Sequence, residues 1–176
     1  MTDDRHLVLI GMMGAGKTTV GAHCATLLGR RFVDIDDFVE HEADLTVAQI
    51  FAVDGEPGFR ALERHALEEA CASPEPLVIS CGGGAVLDSG NCVRLRETGH
   101  VVWLRAHPEV LAERLKRHKA NRPLLASDDT LATLTALTNE RDPVYESTAH
   151  VIIDTAPHDI DAVCTAVLEE FARCAD

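Results

Sequence analysis

Short apolar runs rich in β-branched residues recur at positions 7–10, 32–35, 77–79, 101–104 and 151–153, and read as five buried strands. Between them lie longer segments whose apolar residues return every three or four positions, as in Val20, Cys24, Leu27 and Leu28, and later Leu111 and Leu115. That spacing predicts amphipathic helices. A final helix is predicted over about 160–172. Strands alternating with helices imply parallel pairing through right-handed crossovers, so the expected fold is α/β: three layers, α/β/α, around a five-stranded parallel sheet whose active face lies at the carboxyl ends of the strands. No internal repeat, Pro/Ser-rich linker or low-complexity tract interrupts the pattern, and residues 1–176 are read as a single domain.

The first strand runs directly into Gly11-Met12-Met13-Gly14-Ala15-Gly16-Lys17-Thr18, which satisfies G-x-x-x-x-G-K-[ST]. Glycines let such a loop wrap closely, so that successive N–H groups point at phosphate oxygens and the helix that follows adds its positive end. Gly14, Ala15, Gly16, Lys17, Thr18 and Thr19 are therefore candidate contacts to ATP. Lys17 is expected at the β- and γ-phosphates and Thr18 at Mg²⁺. The bland alternative is a glycine-rich turn with a surface lysine, which the flanking strand and helix disfavour. The fold expectation narrows to a P-loop NTPase of the nucleoside monophosphate kinase-like kind.

Composition limits the partners. The chain has 176 residues, 46% of them hydrophobic, which is enough for a real core, and 16 basic against 29 acidic side chains give a formal charge of −13. An acidic surface argues against nucleic acid or an anionic membrane as partner, so a triphosphate must be held by local cations, amides and a metal. The six cysteines show no C-x-x-C pair, and no zinc-like spacing with the nine histidines. Together with the lack of a signal-peptide pattern or membrane-spanning run, this gives the expectation of a cytoplasmic protein.

No D-x-x-G occurs, and Asn139-Glu140-Arg141-Asp142 only superficially resembles a guanine-recognition motif, so a GTPase is not expected. The third strand lacks a terminal acid, whereas Asp34 and Asp36 close the second. Together with Ile50-Phe51, Gly55-Glu56, Phe59-Arg60-x-x-Glu63, Gly82-Gly83-Gly84-Ala85, Arg122-Pro123-Leu124-Leu125 and Arg141-x-Pro143-x-Tyr145, the P-loop makes the chain resemble the shikimate kinase family over about residues 7–155.

The resemblance implies Mg²⁺-dependent phosphoryl transfer from ATP to the 3-hydroxyl of shikimate by a protein expected to be a monomer. By that resemblance Asp36 orients the acceptor hydroxyl or acts as its base, and Asp34 holds Mg²⁺ through water, with Ser80 nearby. Arg60 and Arg141 grip the shikimate carboxylate, for which a guanidinium fork is suited, and Glu63, three residues after Arg60, braces it. Gly82, Gly83 and Gly84 approach the ring, and Phe51 and Phe59 line its pocket. The substrate-binding helical region falls at about 36–64. Arg122 belongs to a mobile lid at about 114–127, and Arg117 stands as the counterpart of an adenine-contacting arginine.

Taken singly, each motif has a plainer reading. Asp36 could cap a helix starting at Asp37, the glycine triplet could be a tight turn, Arg60–Glu63 could be a surface ion pair, and both phenylalanines could be core. The histidines are assigned only surface or helix-end roles. Two other functions fit the P-loop: a kinase for gluconate or a nucleoside monophosphate, and a non-catalytic ATP-binding regulator.

Overall fold

A computed structural model of the chain describes residues 4–117, 129–156 and 158–173. Five strands pair in parallel in the order β2-β3-β1-β4-β5, with β1 at His6–Ile10, β2 at Phe32–Asp34, β3 at Val78–Ser80, β4 at Gly99–Arg105 and β5 at Val151–Asp154. β1 is buried along its whole length and pairs with β3 on one side and β4 on the other. A strand enclosed on all sides must be apolar, which is why Leu7 to Ile10 carry no charge.

The helices are α1 (Lys17–Leu28), α2 (Ile35–Ala43), α3 (Val47–Cys71), α4 (Ser89–Thr98), α5 (Pro108–Arg117), α6 (Thr130–Thr148) and α7 (Ile160–Arg173). α1 and α7 pack together on one face of the sheet, while α4 and α6 pack on the other, with α3 against α4. This is the expected three-layer arrangement. The chain steps from β1 outward to β2 but from β3 back across β1 to β4. The crevice opened by that reversal, at the carboxyl end of β1, is where ligands bind in open α/β sheets.

Two local features depart from the sequence expectation. β2 stops at Asp34 instead of reaching Ile35, because the Asp34 carboxylate accepts a hydrogen bond from the Asp36 N–H at 3.1 Å and caps α2. The helix start once considered for Asp36 thus belongs to Asp34. α3 is bent at Gly55, whose φ of 67° lies in the left-handed region, and Pro57 follows. Together they redirect the helix just before Phe59 and Arg60. Among the described residues no helix is long and apolar enough to cross a membrane.

The histidines require a correction. His6 and His100 are buried, not superficial. His6 Nδ1 accepts from the Leu77 N–H at 3.0 Å and its Nε2 lies 3.3 Å from the Cys71 carbonyl, so the ring ties β1 to the chain on either side of the α3–β3 turn. His150 Nδ1 likewise accepts from the Val101 N–H at 3.0 Å, and its ring stacks on His100. The apolar runs hid these residues, since His6 and His150 sit at strand ends where a ring nitrogen can serve a backbone donor, and His100 is buried against the His150 ring.

Burial lowers the pKa of His6 and of His150 below the ordinary 6.5. The unfolded chain therefore takes up protons first as the pH falls below 6.5, and native stability declines from there down to the depressed folded values. Urea midpoints should drop between about pH 7.5 and 5.5. His6→Asn, whose Oδ1 can accept from Leu77 without titrating, should flatten part of that slope; an unchanged slope would remove His6 from the effect.

Candidate active site

β1 delivers the chain into the glycine-rich loop, and Gly16 ends it at φ 99°, a left-handed turn that starts α1 without strain only for glycine. Lys17 is buried at the helix start, and its Nζ donates to the carbonyls of Gly11 at 2.8 Å and Met12 at 3.0 Å. The ammonium thereby spans the loop. Thr18 Oγ1 donates to Asp34 Oδ2 at 2.7 Å, joining α1 to the end of β2, and strand register sets Asp34 beside Ser80 of β3.

Hydroxyl and carboxylate oxygens at one point suit a hard cation such as Mg²⁺, which typically takes one or two protein ligands and fills the rest with phosphate and water. Among the described residues no group of three or more His, Cys, Asp or Glu is arranged to hold a metal.

A cleft of ≈ 700 Å³ runs along this edge of the sheet. Gly14 to Thr19 line its floor, Asp34, Asp36, Gly82 and Gly83 one wall, and Arg114, Leu115, Thr155 and His158 the other. Arg117, expected near adenine, is not in it: the side chain is exposed and paired with Glu113. Arg114 takes the interior place, donating to Thr155 Oγ1 at 2.9 Å and to the Thr155 carbonyl at 2.8 Å. The phase of α5 contained this signal, because Arg114 lies three residues after buried Leu111 and shares its face, whereas Arg117 follows exposed Glu113 by four. Arg122 and most of the expected lid lie outside the described residues.

Beyond Asp36 the cleft meets a cluster of charges gathered around the Gly82–Gly84 turn. Arg60 Nη1 donates to Glu63 Oε2 at 2.7 Å and Nη2 to Glu56 Oε1 at 3.0 Å. Glu63 is 1% exposed, so the pair is not a surface bridge. A methyl group added at Gly84 would fall 2.2 Å from Arg60 Nη2, one at Gly82 would fall 2.4 Å from Glu63 Oε1 and 2.8 Å from Asp36 Oδ1, and one at Gly83 would lie 3.7 Å from Arg141 Nη1. The triplet thus brings Asp36, Arg60, Glu63 and Arg141 to one place.

Arg141, on α6, is 3% exposed, and among the described residues its Nε and Nη1 are buried with no hydrogen-bond partner, as is Glu63 Oε1. Unsatisfied buried donors on a charged group are costly unless a ligand completes them. Burial raises the Glu63 pKa, opposed by the charge and hydrogen bond of Arg60, while the charge of Asp36 adds to the rise. For Arg60 burial alone would lower the pKa, but Glu63 and Glu56 outweigh it and raise it.

Phe59 is buried with its ring under Arg60, the guanidinium carbon 5.3 Å from the ring centre, and Phe51 packs on it at 5.0 Å. Phe59 thus packs beneath the arginine with Phe51 behind it, and neither lines the nucleotide cleft. Tyr145, four residues beyond Arg141, donates its hydroxyl to the Gly83 carbonyl and stacks its ring on Trp103 at 5.5 Å.

Comparison with known proteins agrees with this geometry. The family model for shikimate kinase matches residues 13–172. A shikimate kinase of Symbiobacterium thermophilum is 45% identical over 166 residues, covering 94% of this chain and 95% of that protein. Among solved structures, the shikimate kinase of Acinetobacter baumannii in complex with shikimate superposes with a TM-score of 0.93 at 37% identity, covering 98% of this chain and 95% of the other. A gluconokinase from Sinorhizobium meliloti superposes with a TM-score of only 0.59 at 22% identity, over 98% of this chain and 94% of its own, a likeness of fold alone.

The crowding at Gly84 makes a specific prediction. Its φ of −103° suits alanine, but the clashing atoms are the guanidinium of Arg60, which buried Glu63 holds, so Gly84→Ala should leave the chain folded at a cost of about 1–3 kcal/mol. Displacing Arg60 should nevertheless weaken binding of a small carboxylate such as shikimate about tenfold. Calorimetric titration beside a urea melt measures both, and unaltered affinity would show that Arg60 does not hold the ligand.

Proposed function

The chain belongs to the shikimate kinase family, and from that membership we propose how its residues transfer the γ-phosphate of ATP to the 3-hydroxyl of shikimate, giving ADP and shikimate 3-phosphate. The observation that carries the acceptor assignment is buried Arg141, whose two partnerless donors stand beside the glycine triplet and Arg60. A carboxylate fits there: it would satisfy the idle N–H groups and balance a second guanidinium.

In this reading the loop amides of Gly14, Ala15 and Gly16, with Lys17, Thr18 and Thr19, take the triphosphate, and Lys17 exchanges its two carbonyl contacts for the β- and γ-oxygens. Mg²⁺, when bound through Thr18 and water on Asp34, supplies positive charge to the phosphates. Arg60, Arg141 and the amides of Gly82, Gly83 and Gly84 seat the acceptor, and Glu63 holds Arg60 in line. Asp36 lies where the nucleotide cleft meets the acceptor cluster, so its carboxylate aims the hydroxyl at the γ-phosphorus and can accept the departing proton.

Phosphoryl transfer asks mainly for alignment and charge neutralisation, so such an orienting role is sufficient. Arg122 completes the site on lid closure, a role assigned from its motif. Arg114, anchored to Thr155, replaces Arg117 as the proposed cation of the base-binding side. A cytoplasmic monomer without nucleic-acid or membrane partners completes the proposal, and the formal charge of −13 supports excluding polyanionic partners.

Steady-state assays with shikimate, gluconate and AMP test the acceptor: shikimate alone should be turned over, and activity confined to the other two would reject the reading. Lys17→Ala should lower kcat on the order of 10²–10³-fold, the scale expected when one positioned electrostatic stabiliser is lost. Arg141→Ala should raise the KM for shikimate about a hundredfold with the KM for ATP little changed, and an effect limited to ATP would reverse its assignment. Asp36→Asn should reduce kcat by roughly 10²-fold or more while both substrates still bind.

A further inference from the structure

Tyr145 is fully buried, yet it carries a polar atom into the seam between the two halves of the site. Its hydroxyl donates to the Gly83 carbonyl and lies 3.7 Å from the sulfur of Met12 in the phosphate loop. One helical turn before it on α6 is Arg141, on the same face. Burial raises the pKa of the phenol, and the charge of the Arg141 guanidinium opposes that rise. The phenol therefore stays protonated near neutrality and remains a donor to Gly83. Below it the Trp103 ring, 5.5 Å away and tilted by 29°, fixes the plane of the phenol.

Packing alone does not account for this residue. Phenylalanine would fill the same volume and stack equally well on Trp103, with no polar atom to satisfy in a dry place. The hydroxyl is needed only for what it meets: the Gly83 carbonyl of the acceptor loop, where a methyl group on Gly83 would lie 3.7 Å from Arg141 Nη1, and the Met12 sulfur at the edge of the phosphate loop. Each is a part whose separation from the others sets the distance between a bound carboxylate and the γ-phosphate. Errors on the scale of an ångström in such distances cost rate and affinity.

We infer that Tyr145 is a positioning residue of the acceptor half-site, whose hydroxyl pins the Gly83 backbone in place beside the Arg141 guanidinium. The inference rests on the shikimate reading above. The phenol acts through the arginine and the peptide, without touching the reacting atoms.

Tyr145→Phe tests this with the intact enzyme. The KM for shikimate should rise about tenfold, the scale of one hydrogen bond to a charged or buried group, while the KM for ATP stays within about twofold and the melting temperature shows that the fold persists. In a double-mutant cycle with Arg141→Lys, the two changes should be non-additive in shikimate KM, as expected for residues acting as one unit. An unchanged shikimate KM, a parallel rise in both KM values, or additive effects would each overturn the inference and leave Tyr145 as core. A wild-type enzyme inert toward shikimate would overturn the functional reading and this inference with it, whereas an active wild type matched by Tyr145→Phe defeats the inference alone.

Discussion

Charge buried without water is the condition to which most of this molecule answers. Around the Gly82–Gly84 turn, two guanidinium groups and two carboxylates converge with the Arg60–Glu63 contact at 2.7 Å; Glu63 and Arg141 are buried and Asp36 and Arg60 half-buried, and taking a charge fully out of water costs several kcal/mol before any attraction is counted. Glu63 offsets part of the cost for Arg60. Among the described residues no carboxylate hydrogen-bonds to Arg141, whose Nε and Nη1 stay idle. A site that leaves a buried cation incompletely satisfied is poised for an anion, and this is the physical content of acceptor selectivity here.

Holding those charges in place requires a rigid frame on three sides. β1 and β3 fix the loops that carry Lys17 and the glycine triplet, the cap at Asp34 turns β2 abruptly into the helix bearing Asp36, and the bend at Gly55 aims the second half of α3 so that Arg60 and Glu63 face inward. The hydrogen bond from Thr18 to Asp34 joins the nucleotide side to the acceptor side at 2.7 Å. Rigidity in the sheet and adaptability in the loops is the division of labour that α/β enzymes generally use.

Much of this was legible in the residues. Apolar runs located all five strands to within two residues, because strands buried on both faces must be apolar, and the phosphate loop is set by local backbone needs that glycine spacing records. The association of Arg60 with Glu63 followed from helical spacing. What escaped was whatever depends on which way a side chain faces. Arg114 and Arg117 are alike in composition and differ only in helical phase; His6 and His150 are polar residues recruited at strand ends, where a backbone N–H needs a partner. The boundary at Asp34 was missed because a carboxylate can end a strand and cap a helix in the same stroke.

The chain contains one tryptophan, and Trp103 is the residue stacked beneath Tyr145 on β4, deep in the sheet and one phenol away from the acceptor turn. Its emission should consequently be shielded from solvent quenchers and sensitive to small changes in the neighbouring ring. The fold has in effect installed a single native indole behind the tyrosine that holds the acceptor turn and beside the first glycine of the phosphate loop, so that changes at either are open to direct optical observation without any label.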